Sequence, residues 1–323
     1  MTHVPSAILV ILAILAILPA LAIAAPAKSA AAPHEGYLNV NGVRIHYVEQ
    51  GKGKLVLLLH GFPEFWYAWK DVLPDLGKDH HVVAIDMRGY NLSSMPTSVD
   101  DYKIPTLVED VRAVAQHFGA EPSPEKKFVL VGHDWGGAVA WQFAYAHPEL
   151  IDKLVILNAP HPAVFAQLLA SNSDQQNASQ YFNLFASPQA EQMLSSNDFA
   201  FLQGAVFLNW ASDEDKQKYL ECWHRGLTGG LNYYRAAGLH SPMPQALADA
   251  QQADYRARIL QVPTLVIWGM QDHALLPANL DGMSDYVQTL KIQRFPDASH
   301  WVGQEQPAAV SAAIREFIHK SGE

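Results

Sequence analysis

An aspartate, Asp134, lies in a sharp turn within the segment KFVLVGHDWGGAVAW (residues 127–141). The turn follows an apolar, β-rich run and precedes a helix-like stretch of small and apolar residues. Gly132 and Gly136 have no side chain, so the strand and the helix can approach each other closely at this turn. A carboxylate raised on such a turn can displace a leaving group from saturated carbon, which forms an alkyl-enzyme ester that water must hydrolyse. The alternative interpretation is a solvated aspartate in an ordinary glycine-flanked turn.

A strand, a sharp Gly-x-nucleophile-x-Gly turn and a helix form the nucleophile elbow of α/β-hydrolases, in which the acid and then the histidine follow the nucleophile in chain order. His300 lies in the segment DASHW, after the last predicted strand and before the final predicted helix. From that loop a histidine can reach the turn at Asp134. The alternative is a structural loop histidine, since the chain has 15 histidines.

The acid that would hold His300 has two candidates. Asp272 follows a predicted strand in the segment GMQD, the loop in which this fold places its acid, whereas Asp297 is predicted to be a turn residue before the histidine loop. A third location, after the sixth strand, holds Asn158, which cannot carry a charge. We therefore predict that Asp272 orients the imidazole and stabilises its charged form while His300 takes a proton from water.

The ester intermediate needs donors for a developing oxyanion, and we predict that the backbone N–H groups of Phe62 and Trp135 supply them. Phe62 follows His60-Gly61 at the end of a predicted strand, where the second donor of this fold is found. His60, Pro63 and Trp66 are predicted to belong to the substrate pocket, with His60 as a structural hydrogen-bonding group beneath it. The Phe62–Pro63 bond could be cis, a point that sequence does not decide.

Apolar runs alternate with helical patterns over the rest of the chain. We predict strands at residues 37–40, 43–48, 54–59, 81–86, 128–131, 154–157, 264–268 and 291–295. Helices are predicted at residues 66–77, 105–119, 135–147, 278–290 and 307–320. Such alternation predicts an α/β protein with the α/β-hydrolase fold, a mostly parallel central sheet with helices on both faces. Asn41-Gly42 predicts a hairpin that adds antiparallel strands at one edge.

Residues 162–261 interrupt the alternation, because they contain no convincing strand and many aromatic side chains. We predict an inserted helical cap domain here, folded over the carboxyl edge of the sheet, where ligands of open α/β folds bind. The predicted core domain comprises residues 36–161 and 262–323.

The N-terminus differs in kind, since residues 7–25 are almost wholly Ala, Ile, Leu and Val, and Ala22-Ile23-Ala24 has the spacing of a signal peptidase site. We predict a signal peptide at residues 1–24, a spacer at 25–35 and an exported protein, either periplasmic or secreted. An uncleaved membrane anchor is the alternative, because the apolar stretch is barely long enough to span a bilayer of ~30 Å.

Composition excludes several classes of function. The chain of 323 residues is 49% hydrophobic and 17% charged, as in soluble globular proteins, and its net charge of −10 argues against binding of nucleic acid. The single cysteine, Cys222, permits no internal disulfide and provides no metal cluster, and it is expected to be a small buried side chain. We expect no metal, no organic cofactor and no stable membrane association after removal of the leader. The protein is expected to be a monomer or a homodimer.

Taken together, the motifs resemble those of the α/β-hydrolase-fold epoxide hydrolases over residues 37–317. The matching segments are HGFPEFWYAW (60–69), DMRGYNLSS (86–94), GHDWGG (132–137), NAPHP (158–162), WGMQD (268–272) and SHWVGQEQP (299–307). The resemblance implies hydrolysis of a small apolar epoxide to a vicinal diol, with Asp134 as nucleophile.

The family also uses two tyrosines whose hydroxyls stabilise the alkoxide as the ring opens. The resemblance selects Tyr181, in the segment YFNLFASP, and Tyr234, in the segment NYYR. From the residues alone, both would be aromatic core residues of the cap. Phenols suit this task, because with a pKa near ~10 they remain protonated at neutral pH and can donate strongly.

Three other functions remain as alternatives. A haloalkane or haloacid dehalogenase shares the aspartate nucleophile, and Trp135 lies where haloalkane dehalogenases have a halide-binding tryptophan. However, those enzymes usually need a second N–H donor for the halide, commonly an asparagine that follows His-Gly, and Phe62 occupies that position here. A non-catalytic binding or sensor protein is a further alternative, although none of Asp134, Asp272 and His300 is missing. A serine esterase is nearly excluded, because no serine occupies the turn.

Overall fold

A computed structural model describes residues 1–2 and 32–319 of the chain. The predicted signal peptide at residues 1–24 and most of the predicted spacer at 25–35 therefore lie outside the described residues, and both stay predictions. None of the helices in the described part combines the length and the apolar character needed to cross a bilayer.

An eight-stranded sheet forms the centre of the fold, with strand order β1-β2-β4-β3-β5-β6-β7-β8. Its strands are β1 (His34–Val40), β2 (Val43–Gly51), β3 (Leu55–Leu59), β4 (His81–Ile85), β5 (Phe128–His133), β6 (Ile151–Leu157), β7 (Thr264–Gly269) and β8 (Leu290–Phe295). Strands β3 to β8 pair in parallel, whereas β1 with β2 and β2 with β4 are antiparallel. The predicted α/β-hydrolase sheet with an antiparallel edge is confirmed.

Strands β3, β5 and β7 are buried along their whole length because layers cover both faces of the sheet. In β3, Leu57 and Leu59 belong to one hydrophobic cluster, while Val56 and Leu58 belong to the cluster on the opposite face. This alternation follows from the two-residue period of a strand.

The hairpin between β1 and β2 is confirmed, with Asn41 at φ 48° and Gly42 at φ 78°, as a two-residue turn of type I′ requires. Strand β1 begins at His34, three residues before its predicted start at residue 37 and inside the predicted spacer. His34 pairs with Glu49 across the hairpin, and this pair is the last of the β1–β2 ladder.

Within the described residues, five α-helices lie outside the insertion. They are α1 (Val72–Leu76), α2 (Ile104–His117), α3 (Trp135–Ala146), α11 (Val302–Glu305) and α12 (Pro307–His319). The predicted helix at 66–77 was wrong, because a 3-10 turn at Trp66–Trp69 is separate from α1. Pro74 lacks the N–H for a bond to the carbonyl of Lys70 and would clash with it in a continuous helix.

The predicted helix at residues 278–290 was also wrong. Two 3-10 turns, Pro277–Leu280 and Met283–Asp285, occupy this segment before β8. Gly282 has φ 75°, a left-handed conformation that no residue of a right-handed helix adopts.

Residues between β6 and β7 form a helical segment, which we call the insert. Its helices are α4 (Pro162–Ser171), α5 (Ser173–Ala178), α6 (Tyr181–Ala186), α7 (Ala190–Val206), α8 (Asp213–Trp223), α9 (Thr228–Ala237) and α10 (Gln245–Ala257). The insert is joined to the loop after β3, since the Trp223 indole donates to the Pro63 carbonyl over 2.7 Å. Cys222 of α8 is buried, as predicted.

Candidate active site

Asp134 lies in the turn between β5 and α3 and has φ 49° and ψ −120°, a strained conformation for a residue with a side chain. The neighbouring glycines make the turn possible. A Cβ on Gly132 would lie 2.4 Å from the Gly136 carbonyl oxygen, and one on Gly136 would lie 2.4 Å from the carbonyl oxygen of Leu59. The Gly-x-Asp-x-Gly pattern therefore reflects close packing of β5, α3 and β3.

The two carboxylate oxygens of Asp134 have different surroundings. Its Oδ1 accepts the backbone N–H of Phe62 at 2.8 Å, while its Oδ2 lies 3.8 Å from His300 Nε2. Trp135 begins α3, so its N–H belongs to the first helical turn, which has no acceptor within the helix. A Cβ on Gly61 would lie 2.4 Å from Oδ1, so a side chain at this position would displace the carboxylate.

Asp272 is the acidic partner of His300. Its Oδ2 lies 2.7 Å from His300 Nδ1, whereas the alternative acid, Asp297, is exposed. Its Oδ1 accepts the backbone N–H groups of Ala274 and Leu275 at 2.8 and 2.9 Å. Burial raises the pKa of Asp272, but the interactions with His300 and the Leu275 N–H outweigh burial and lower it.

Asn158 supports Asp272, a function that the sequence did not reveal. Its side-chain amide donates to Asp272 Oδ2 at 2.8 Å, and its Oδ1 accepts the backbone N–H of Gly269 at 2.8 Å. Asn158 thus fixes the acid to the ends of β6 and β7. The only signal was that Asn158 occupies the alternative location of the acid.

His300 is largely buried, and it directs Nε2 towards Asp134 because Nδ1 faces Asp272. Burial disfavours the charged imidazole, but the carboxylates of Asp272, Asp134 and Glu64 outweigh this effect and raise the pKa of His300 to about 9. The resting site therefore holds an imidazolium between carboxylates near neutral pH.

Glu64 and His133 form a second buried pair that the sequence analysis missed. Glu64 is fully buried and accepts from Tyr219 at 2.9 Å, and one of its oxygens lies 2.8 Å from His133 Nδ1. Nε2 of His133 donates to the His300 carbonyl at 2.9 Å. Both residues lie in the quoted motifs, but nothing in the sequence indicates a contact between positions 69 residues apart.

Tyr181 of α6 and Tyr234 of α9 lie next to each other, with ring centroids 6.2 Å apart, and both lie near enough to Asp134 to be affected by its charge. Burial, followed by the charge of Asp134, raises the pKa of both phenols, so both hydroxyls remain protonated. Tyr233 is different, because its hydroxyl donates to the Arg88 carbonyl at 2.9 Å and is thereby a structural group.

A cavity of about 600 Å³ opens onto Asp134. Asp134, Trp135 and Tyr181 line its inner end, and its walls are mainly apolar: Ala138, Pro160, Phe165, Phe182, Met243 and Leu275. The predicted pocket residues His60, Pro63 and Trp66 are not among the residues that line this cavity.

These three residues support the loop that carries Phe62 instead. His60 is fully buried, accepts the Met87 N–H at 3.0 Å and lies 2.8 Å from the Gly61 carbonyl through Nδ1. This pattern fits a neutral imidazole protonated on Nδ1, and burial lowers the pKa of His60. The Phe62–Pro63 bond is cis, and the Trp66 N–H donates to Asp86 at 2.9 Å.

Within residues 32–319, no group of three or more His, Cys, Asp and Glu side chains is arranged to hold a metal ion.

Comparison with known proteins identifies the family. A family model described as alpha/beta hydrolase fold matches residues 54–307. The chain is 35% identical to "Epoxide hydrolase 1" of Caenorhabditis elegans, over 88% of this chain and 70% of that protein. It is 34% identical to "Epoxide hydrolase 3" of Xenopus tropicalis, over 91% and 81%. The crystal structure of Bacillus megaterium epoxide hydrolase with an inhibitor is 35% identical and superposes with a TM-score of 0.78, over 88% of this chain and 100% of that chain. The protein belongs to the α/β-hydrolase fold family and, within it, to the epoxide hydrolases.

Proposed function

We propose that the protein hydrolyses epoxides to vicinal diols through a covalent ester on Asp134. The observation that carries the proposal is the arrangement around this carboxylate. Asp134 has one oxygen on the Phe62 N–H and the other facing His300, and it lies near two protonated tyrosines. The relatives named epoxide hydrolases support the same chemistry.

In the first step, Oδ2 of Asp134 attacks an epoxide carbon and the carbon–oxygen bond of the ring breaks. Oδ2 is the proposed nucleophile because Oδ1 is held by the Phe62 N–H. The ring oxygen leaves as an alkoxide and takes a proton from Tyr181 or Tyr234, which lie together at the site. A positioned donor aimed at this oxygen stabilises charge only as it develops.

In the second step, water attacks Cγ of the ester while His300 Nε2 takes a proton from that water. Negative charge then develops on Oδ1, where the N–H groups of Phe62 and Trp135 stabilise it. Collapse of this intermediate breaks the bond between Cγ and Oδ2, the oxygen that is bonded to the substrate. The departing oxygen takes a proton from His300 and becomes a hydroxyl of the diol. The acid left on Asp134 returns its proton to His300, which restores the carboxylate with one oxygen derived from water. The distance of 3.8 Å between Nε2 and Oδ2 is too long for a direct hydrogen bond, so Nε2 is free to engage water.

Alkylation also prepares the base. The negative charge of Asp134 is one of the causes that raise the pKa of His300 to about 9, and the ester carries no charge. The pKa of His300 therefore falls when the ester forms. Its proton can then pass to the phenolate left by ring opening, which restores the tyrosine and leaves the neutral imidazole required for the second step.

Dehalogenation of an alkyl halide is the competing function, since it uses the same nucleophile. A halide leaving group would need the indole N–H of Trp135, but this side chain packs against Tyr234. The rings of these residues meet edge to face with centroids 5.0 Å apart. The phenol of Tyr234 and that of the neighbouring Tyr181 favour oxygen as the leaving atom.

The test is intact-protein mass spectrometry of His300→Gln incubated with styrene oxide and, separately, with a bromoalkane. The variant lacks the base, so the ester should accumulate as a mass gain equal to the whole epoxide and map to Asp134. The double variant Asp134→Asn/His300→Gln is the control and should gain no mass. An adduct formed only from the bromoalkane and lacking bromine would contradict the proposal, as would an epoxide adduct at another residue.

We further propose that the insert caps the site and that residues 1–24 direct export as a cleaved signal peptide. The sequence of residues 7–25 supports export. Expression of the full chain in a bacterium, with N-terminal sequencing of the periplasmic protein, tests this proposal. A full-length product retained in the membrane fraction would instead support an uncleaved anchor.

A further inference from the structure

The cavity continues well beyond the reacting groups. Asp134, Ala138 and Gln142 all line it and recur every four residues, so the cavity follows one face of α3. A rise of about 1.5 Å per residue puts Gln142 about 12 Å from Asp134 along the helix axis, the extended length of about ten carbon atoms. Its outer end is formed by α10, where the lining residues Leu247, Ala250 and Asp254 are exposed.

The polarity of the lining side chains changes along the cavity. The middle is apolar, whereas Gln142, Gln251 and Asp254 bring amides and a carboxylate to the outer end. Gln142 uses its NH₂ group to bond the Tyr255 hydroxyl, which leaves its carbonyl oxygen available. In the part of the chain that the structure describes, the Gln251 side chain has no hydrogen-bond partner, although it is half-buried. The carbonyl oxygen of Gln142 and the amide of Gln251 are therefore free to bind a polar group of a ligand.

The charged side chain that lines the outer end is acidic. Apart from Asp134, the ionisable carboxyl group that lines the cavity is Asp254. It pairs with Arg258 at 2.5 Å, but Arg258 does not line the cavity and lies over the rings of Tyr145 and Tyr255. An anionic group at the end of a substrate would therefore meet Asp254 without a facing cation.

We propose that Gln142 and Gln251 form a distal subsite that selects elongated epoxides with an apolar body and an uncharged hydroxyl at the far end. The inference rests on the proposed epoxide hydrolysis and specifies its substrate class. The epoxide occupies the inner end at Asp134, the chain follows α3, and the hydroxyl binds the Gln142 carbonyl oxygen and the Gln251 amide. A carboxylate in the same position is rejected by Asp254.

The experiment compares three terminal epoxides with chains of about ten carbons that end in a methyl, a hydroxyl or a carboxylate group. Gln251→Leu should reduce the ratio of kcat/KM for the hydroxyl and methyl substrates by about threefold to tenfold, the effect of about one hydrogen bond. Gln245→Leu is the matched control, because Gln245 is exposed on the same helix and does not line the cavity. An unchanged ratio in Gln251→Leu, or an equal loss in Gln245→Leu, would overturn the subsite.

A second pair of variants tests the rejection of anions. Asp254→Asn should raise kcat/KM for the carboxylate substrate by about twofold to fivefold, a modest effect because Asp254 is exposed. Asp249→Asn, on the same helix but outside the cavity lining, should leave it unchanged. Identical behaviour of these two variants would contradict the proposed rejection.

Styrene oxide separates this proposal from the proposed function. It is too short to reach α10, so all four variants should hydrolyse it at the wild-type rate. Absence of turnover by wild-type protein with every epoxide refutes the proposed function itself. Normal styrene oxide turnover without discrimination among the long substrates refutes only the distal subsite.

Discussion

Removal of the two phenol hydroxyls near Asp134 should slow formation of the ester while the protein remains folded. Tyr181 and Tyr234 both face the charge of Asp134, which contributes to the raised pKa of each hydroxyl. Loss of one donor to a developing oxyanion costs about 2.7–4 kcal/mol, or a factor of about 10²–10³ in rate. We therefore expect about a 10²-fold slower alkylation in either single Phe variant and about 10³-fold or more in the double variant.

Tyr233→Phe is the matched control, because it removes the hydroxyl of the adjacent residue. The Tyr233 hydroxyl donates to the Arg88 carbonyl, so its removal leaves a buried acceptor unpaired at a cost of about 1–3 kcal/mol of stability. For a chain of this size, that cost lowers Tm by several degrees, roughly 2–4 °C per kcal/mol. Tyr233→Phe should thus be less stable but should alkylate at the wild-type rate, whereas Tyr234→Phe should show the reverse.

The assay is single-turnover rapid quench with styrene oxide, followed by quantification of the Asp134 adduct by mass spectrometry. Calorimetry on the same samples gives Tm. If the double variant alkylates within about threefold of wild type, the tyrosines are aromatic packing residues and not acids. If Tyr233→Phe slows alkylation as much as Tyr234→Phe, the assignment of Tyr234 as a proton donor and of Tyr233 as a structural residue is incorrect.

Other changes around the nucleophile should have distinct outcomes. Asp134→Ala should abolish turnover. Freshly purified Asp134→Asn should also be inactive until its amide deamidates to a carboxylate. Full activity of Asp134→Asn measured at once after purification would exclude Asp134 as nucleophile. Gly61→Ala should lower kcat by at least about tenfold, because the added Cβ would lie 2.4 Å from the Asp134 carboxyl. Gly204→Ala, with nothing within 4 Å of the added Cβ, should match wild type in steady-state assays, and equal rates for both variants would refute the packing argument. Its partners Asp272 and Asp134 raise the pKa of His300 to about 9. The protonated imidazole therefore stabilises the fold fully below the ordinary histidine pKa of ~6.5, and this stabilisation is lost as the pH rises through about 9. Between these values Tm should fall more in wild type than in His300→Gln, and an NMR titration should give His300 a lower pKa in Asp134→Asn; an unchanged titration would contradict the pairing.

The sequence determined those features that depend on short stretches of chain. Apolar runs and their flanking turns located all eight strands, and the Asn41-Gly42 hairpin and the glycines around Asp134 specified two turns. Local patterns succeed here because burial on both faces, or a positive φ, restricts the residue types at each position. The two helices that were predicted wrongly failed for local reasons as well, since Pro74 and Gly282 interrupt them.

Only the tertiary structure decided which residues meet. It joined Glu64 to His133 across 69 residues of chain, and it placed the amide of Asn158 on the carboxylate of Asp272. Neither contact can be derived from sequence spacing, because both depend on the order of the strands in the sheet and on which carboxylates become buried. Buried charges and amides must find partners, and the fold alone brings those partners within hydrogen-bonding distance. For the same reason, the course of the cavity along α3 towards α10 could not be read from the sequence.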